Sequence, residues 1–191
     1  MSTTHAEKRN MPYSSEQLFK LVSDVERYPE FLPWCLGCKI TRHIKTSEEA
    51  SPQQQGYNGL INVTDPRFHG DASEGKGSNN SEVKEIFMAD LVVGYKMVRE
   101  KFTSKVTLEK HNLVHVEYVS GPMKHLSNHW KFISEDDGSC TIDFYVDFEF
   151  KNRLLQNLIG AFFTEAMQRM VRAFEGRAKE LYGSNNINKQ T

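Results

Sequence analysis

From residue 142 to residue 150 apolar and polar positions alternate without a break: Ile142, Phe144, Val146, Phe148 and Phe150 against Asp143, Tyr145, Asp147 and Glu149. Successive side chains on a strand point to opposite faces, so this segment is a strand with one buried and one wet face, as in an antiparallel sheet. Weaker strand patterns precede it at residues 3–12, 35–44, 85–93, 102–108, 113–119 and 128–134, the last after a Gly121-Pro122 break. Helical spacing appears twice. Ser14 with Gln17 forms a capping-box pattern ahead of Leu18, Leu21, Val22 and Val25, which predicts a helix over residues 15–25. Leu154, Leu155, Leu158, Ile159, Phe162, Ala166, Met170 and Phe174 make a longer apolar stripe, widened by Phe163, Met167 and Val171. That stripe predicts a helix over residues 152–182, weakened slightly at Gly160 and Gly176. One short helical region, a run of strands and one long final helix predict an α+β fold, a curved antiparallel sheet wrapped around the C-terminal helix.

Two segments break these patterns. Residues 28–34 read Tyr-Pro-Glu-Phe-Leu-Pro-Trp, in which Pro29 and Pro33 predict a short, stiff, irregular piece. Connections are normally polar, so this apolar one is either a buried corner of the core or a rigid lip over a cavity. Residues 46–81 are rich in Ser, Gln, Asn and Gly, too poor in apolar surface to offset the entropy of ordering. They are expected to form a flexible insertion within a single domain spanning residues 1–183, with a brief hairpin near residues 57–63. A disordered tail is expected over residues 184–191.

Charge narrows the partners. With 24 basic and 25 acidic residues the net charge is −1, so no global field draws the chain to DNA or anionic lipid. Three cysteines argue against a disulfide framework, and no run approaches the ~18 apolar residues of a membrane span. A cytoplasmic protein is expected. The local exception is the final helix, where Arg153, Arg169, Arg172, Arg177 and Lys179, with Lys151 just ahead, outnumber Glu165, Glu175 and Glu180. This face is either simply solvated or a contact for lipid headgroups or ribosomal RNA, centred on Arg169 and Arg172.

Motifs for catalysis are weak. Trp34-Cys35-Leu36-Gly37-Cys38 has Cys-x-x-Cys spacing, but a redox site needs a helix starting at the first cysteine and here a strand pattern follows. A lone pair also supplies only half a zinc site, so no metal is expected. His125 and His129 read as loop and edge histidines, and Asp143, Asp147 and Glu149 as an outward polar face. No phosphate loop or nucleophile elbow is present. No catalytic residue is assigned, and the chain is expected not to be an enzyme.

Four ordered segments carry a resemblance. They run from Met11-Pro12-Tyr13-Ser14 through Tyr28-Pro29-Glu30-Phe31-Leu32-Pro33-Trp34-Cys35, then Ala89-Asp90-Leu91-Val92-Val93-Gly94-Tyr95, then Gly121-Pro122 to Asn128-His129-Trp130, then Val146-Asp147-Phe148-Glu149-Phe150 to Leu155. Together they resemble the coenzyme Q-binding protein family of START-like domains, which includes the bacterial ribosome-association toxins, within the polyketide cyclase/dehydrase and lipid transport superfamily. The match spans about residues 5–183 apart from residues 46–81, which it places beside the expected cavity mouth.

The resemblance implies a helix-grip fold with an apolar tunnel between sheet and helix. It also implies a bound ubiquinone or similar prenylated lipid, held for delivery or use in respiration, with no catalytic cofactor. Peripheral contact at the inner face of the respiratory membrane would then accompany the cytoplasmic location. Fold position nominates Phe31, Pro33, Trp34, Leu91, Val93, Trp130, Phe163, Met167 and Met170 as tunnel residues. The alternative it implies is a toxin-like regulator that binds the large ribosomal subunit and impairs subunit association. A cyclase-like enzyme is the third reading, and it would need a polar group inside the tunnel, for which His129 is the candidate.

Overall fold

The structure, a computed structural model, describes residues 2–44, 84–95 and 98–183. The expectations for residues 46–81, with the hairpin near residues 57–63, and for the tail at 184–191 lie outside the described residues. The chain runs β1 (Thr3–Met11), α1 (Ser15–Ser23), a 3-10 turn (Val25–Arg27), α2 (Tyr28–Phe31), β2 (Cys35–Ile44), β3 (Lys84–Tyr95), β4 (Val98–Glu109), β5 (Leu113–Ser120), β6 (Met123–Ser134), β7 (Cys140–Phe150) and α3 (Arg153–Tyr182).

Among the described residues, seven strands form one antiparallel sheet in the order β1-β7-β6-β5-β4-β3-β2. Sequential hairpins build six of the strands. β1 closes the far edge by pairing with β7, the last strand made, so the N-terminus is held by residues about 140 positions away in register, Thr3 facing Phe148 and Met11 facing Cys140. This is the curved sheet and terminal helix of the helix-grip, START-like architecture.

The two longer helices, α1 and α3, start on side-chain caps. Ser14 Oγ accepts from Gln17 N at 3.2 Å while Gln17 Oε1 accepts from Ser14 N at 3.0 Å, a complete capping box that satisfies two otherwise orphaned donors. Asn152 caps α3, its Oδ1 accepting from Leu154 N and Leu155 N. At ~1.5 Å per residue the 30 residues of α3 reach about 45 Å. Gly121, at φ +134°, makes the β5–β6 turn; a Cβ there would stand 2.7 Å from Phe102 Cβ, so the position requires glycine.

Three expectations change. Residues 28–31 of the proline-rich segment are helical, forming α2 directly after the 3-10 turn, because Pro29 lies in the first turn, where its missing N–H removes nothing. The face α3 turns to the sheet runs Leu155, Ile159, Phe163, Met167, Met170, Phe174 and Ala178, whereas Leu154 is 80% exposed and Leu158 is also exposed. β6 starts at Met123, five residues before its sequence pattern, since Lys124, His125 and Ser127 give no apolar alternation.

The core lies between the sheet and the helices. On β7, Ile142, Phe144, Val146 and Phe148 are buried while Asp143, Tyr145, Asp147 and Glu149 are not. Register carries this parity across the sheet, so Leu126, Asn128, Trp130 and Phe132 of β6 share the inner face with Val114, Val116 and Tyr118 of β5. Phe102, Ser104, Val106 and Leu108 of β4 continue it.

Candidate functional site

The inner face does not close completely on α3. Between them lies a cavity of ≈ 270 Å³, bounded by the sheet, by Val25, Tyr28 and Leu32 from the α1–β2 region, and by Phe163, Met167, Met170 and Phe174 of α3. The strands supply Leu91, Phe102, Val116, Leu126, Trp130 and Phe148 among others. Large side chains leave space here because α2 and α3 meet through rings rather than close backbone packing: Phe174 contacts Tyr28 at 5.6 Å, Phe31 at 5.2 Å and Trp130 at 5.0 Å between centroids. Tyr28 is pinned by donating its hydroxyl to Val22 O, and burial pushes its phenol pKa upward.

A second, smaller pocket of ≈ 160 Å³ sits under the first half of α3. Trp34, Val93, Gly94 and Phe150 line it with Leu155, Ile159 and Phe162, and Glu100, Glu165 and Arg169 are its charged lining residues.

Five of the nominated tunnel residues, Leu91, Trp130, Phe163, Met167 and Met170, thus surround the larger cavity, and Trp34 and Val93 line the smaller pocket. Two of the nominated residues lie outside both linings. Pro33, just past the Leu32 C-cap of α2, is exposed. Phe31 is not a lining residue; it packs against Phe174 beneath the Arg177 guanidinium, 5.8 Å from the ring centroid, and so braces the wall from behind. Arg169 pairs with Glu165 and Arg177 with Glu30 and Glu180, which reduces the unpaired charge of the helix. Arg172 is exposed.

His129 does not reach the cavity. Facing Tyr145 in register, it lies on the outer face and stacks on that ring at 5.4 Å. Ser104 and Asn128 are the polar side chains that do line the cavity, and sequence reasoning missed both. The signal was available: Ser104 falls between Phe102 and Val106, and Asn128 between Leu126 and Trp130, each on the apolar parity of its strand.

The Cys-x-x-Cys lies in β2, with a bulge between Cys35 and Gly37. Burial raises both thiol pKa values, Cys38 to about 12 with Cys35 adding to the shift. Thiolate, the reactive form, is therefore scarce at neutral pH. Among the described residues no group of three or more His, Cys, Asp or Glu could hold a metal ion, and no helix is long and apolar enough to cross a membrane.

An apolar cavity gripped between a curved sheet and a terminal helix defines a START-like protein. The chain belongs to the polyketide cyclase / dehydrase and lipid transport family, whose profile matches residues 11–175. It is similar to the ribosome association toxin RatA of Escherichia coli K12, 31% identical over 174 residues that cover 91% of this chain and 85% of that protein. It is also similar to the mitochondrial coenzyme Q-binding protein COQ10 homolog B of Xenopus laevis, 27% identical over 96% of this chain and 61% of that one. In fold it matches the crystal structure of the ZhuI aromatase/cyclase from Streptomyces sp. R1128 with a TM-score of 0.63, over 97% of this chain and 99% of that one at 12% identity.

Proposed function

We propose that the protein binds a prenylated quinone, ubiquinone or a close relative, in the larger cavity, sheltering it from water for delivery or use in respiration. The cavity itself carries this reading: ≈ 270 Å³ of space walled largely by apolar and aromatic side chains. Moving hydrocarbon from water into such a space gains ~25 cal/mol per Å² without any catalytic group. Met167 and Met170, unbranched and polarisable, suit a wall that adapts to a flexible tail. The relative that carries coenzyme Q-binding in its name supports the choice of ligand. Location at a membrane surface follows as part of the same proposal, since a quinone tail partitions into lipid.

Trp130 in the cavity wall gives a direct readout. Decylubiquinone titrated into the Trp34→Phe variant, which leaves Trp130 as sole tryptophan, is expected to quench fluorescence saturably at one ligand per chain. Quenching that rises linearly without saturation, as it would in unfolded protein, removes this reading.

A second reading is a ribosome-directed regulator, favoured by the 31% identity to RatA. It expects sedimentation with the large ribosomal subunit, lost on combining Arg169→Glu with Arg172→Glu. Wild-type protein that stays at the top of a low-salt sucrose gradient ends it. The likeness to an aromatase/cyclase establishes the fold alone.

A further inference from the structure

Two short polar side chains, Ser104 and Asn128, interrupt the apolar wall of the larger cavity. Ser104 is 4% exposed, and its hydroxyl finds no hydrogen-bond partner among the described residues. Its register partner across the β4–β5 ladder is Tyr118, whose hydroxyl is likewise buried and unpartnered among the described residues. Asn128 faces Val116 on β5, two positions from Tyr118. Its Nδ2 donates to Tyr145 O at 3.0 Å, which anchors the amide and leaves Oδ1 as an acceptor. Three polar groups therefore occupy neighbouring positions of β4, β5 and β6 on the inner face.

A buried hydroxyl left without a partner is destabilising, and native interiors hold few of them. The fold here maintains one in the cavity wall, at Ser104. A hydrocarbon chain lying against it would leave it unsatisfied, whereas an oxygen-bearing group would complete it. The surrounding wall, from Phe102 and Leu126 to Met167 and Met170, is mostly apolar, and the Tyr28 hydroxyl is already spent on Val22 O.

We propose that Ser104 and Asn128 form a head-group seat, so that the lipid lies with its oxygen-bearing end inward and its hydrocarbon tail along Met167 and Met170. The ligand class this selects is one whose terminus carries carbonyl or hydroxyl oxygens: the Ser104 hydroxyl donates to a carbonyl, and Asn128 Oδ1 accepts from a hydroxyl. The proposal rests on the reading of the cavity as a lipid site and specifies which end of the lipid is held inside it.

The test compares decylubiquinone with dodecylbenzene, a ring and tail of similar size without oxygen, by isothermal titration in dilute detergent. Ser104→Ala is expected to weaken decylubiquinone binding about tenfold, the scale of one hydrogen bond, while dodecylbenzene affinity stays within about twofold. Tyr118→Phe, at a residue outside the cavity lining, should leave both affinities within about twofold. Without ligand, Ser104→Ala should melt at the same temperature as wild type or higher, because it deletes an unsatisfied group. Unchanged decylubiquinone affinity in Ser104→Ala overturns the seat, as does equal weakening of both probes or a lowered melting temperature of ligand-free Ser104→Ala. Wild-type protein that takes up neither probe overturns the lipid reading itself, a result distinct from an unchanged variant.

Discussion

Phe174 stands where the two helical regions and the sheet meet, in ring contact with Tyr28, Phe31 and Trp130. Truncating it to alanine removes all three contacts, and a loss of about 3–5 kcal/mol is expected by urea denaturation, the range for a buried Phe→Ala change. Cys38 leads to an opposite expectation, of inertness. With its thiol pKa pushed up to about 12, alkylation by iodoacetamide at pH 8 should run at least ~10-fold slower than for free cysteine, as read by mass spectrometry. Fast labelling, or a Cys35–Cys38 disulfide under mild oxidation, would revive a redox role. At this scale the sequence was only partly legible. Spacing exposed the apolar stripe containing Met167 and Met170, but whether an aromatic faces a cavity or braces it, as Phe31 does, depends on which rings other elements bring to it. Ser104 and Asn128 were hidden for a simpler reason: a lone polar residue within a strand is ordinarily read as a surface position.

The β5–β6 hairpin contains a titration pair. His115 and His129 face each other across the ladder, and burial pushes both imidazole pKa values below their ordinary value of 6.5, before any contribution from neighbouring charges. A depressed folded pKa means that the unfolded chain takes up protons first. Stability from this source is therefore intact above pH 6.5 and falls as pH drops through the folded pKa values. The double variant His115→Gln/His129→Gln should flatten the fall in urea midpoint between about pH 6.5 and pH 5. An unaltered acid limb would place the loss elsewhere.

Helix α3 offers the converse. At Gly160 and Gly176 an added methyl meets nothing within 4 Å, so alanine at each should stabilise by about 1 kcal/mol without changing the urea m-value. Both strand and helix periodicity were legible at this scale because each element buries one face. The exceptions have local causes: Pro29 tolerated in a first turn, and the start of β6, where a register shift between Met123 and His125 and the inward polar Asn128 break the alternation.

Among the described residues a seven-stranded sheet and one long helix enclose a largely apolar space, the proposed lipid site. The order of elements and the closing role of the last helix could be read from the chain, because β7 and α3 have the clearest patterns and lie together. The cavity could not be read, since it arises from how rings on α2, α3 and the strands fail to fill the gap between them. Its contents decide the matter. Protein purified without detergent, extracted with organic solvent and examined by mass spectrometry, should yield a prenylated quinone. Val116→Phe, which narrows the cavity while the circular dichroism spectrum stays native, should yield at least about tenfold less, since overpacking a filled site costs ~1–3 kcal/mol. An extract without quinone, from protein that also fails to take up added quinone, would refute the account.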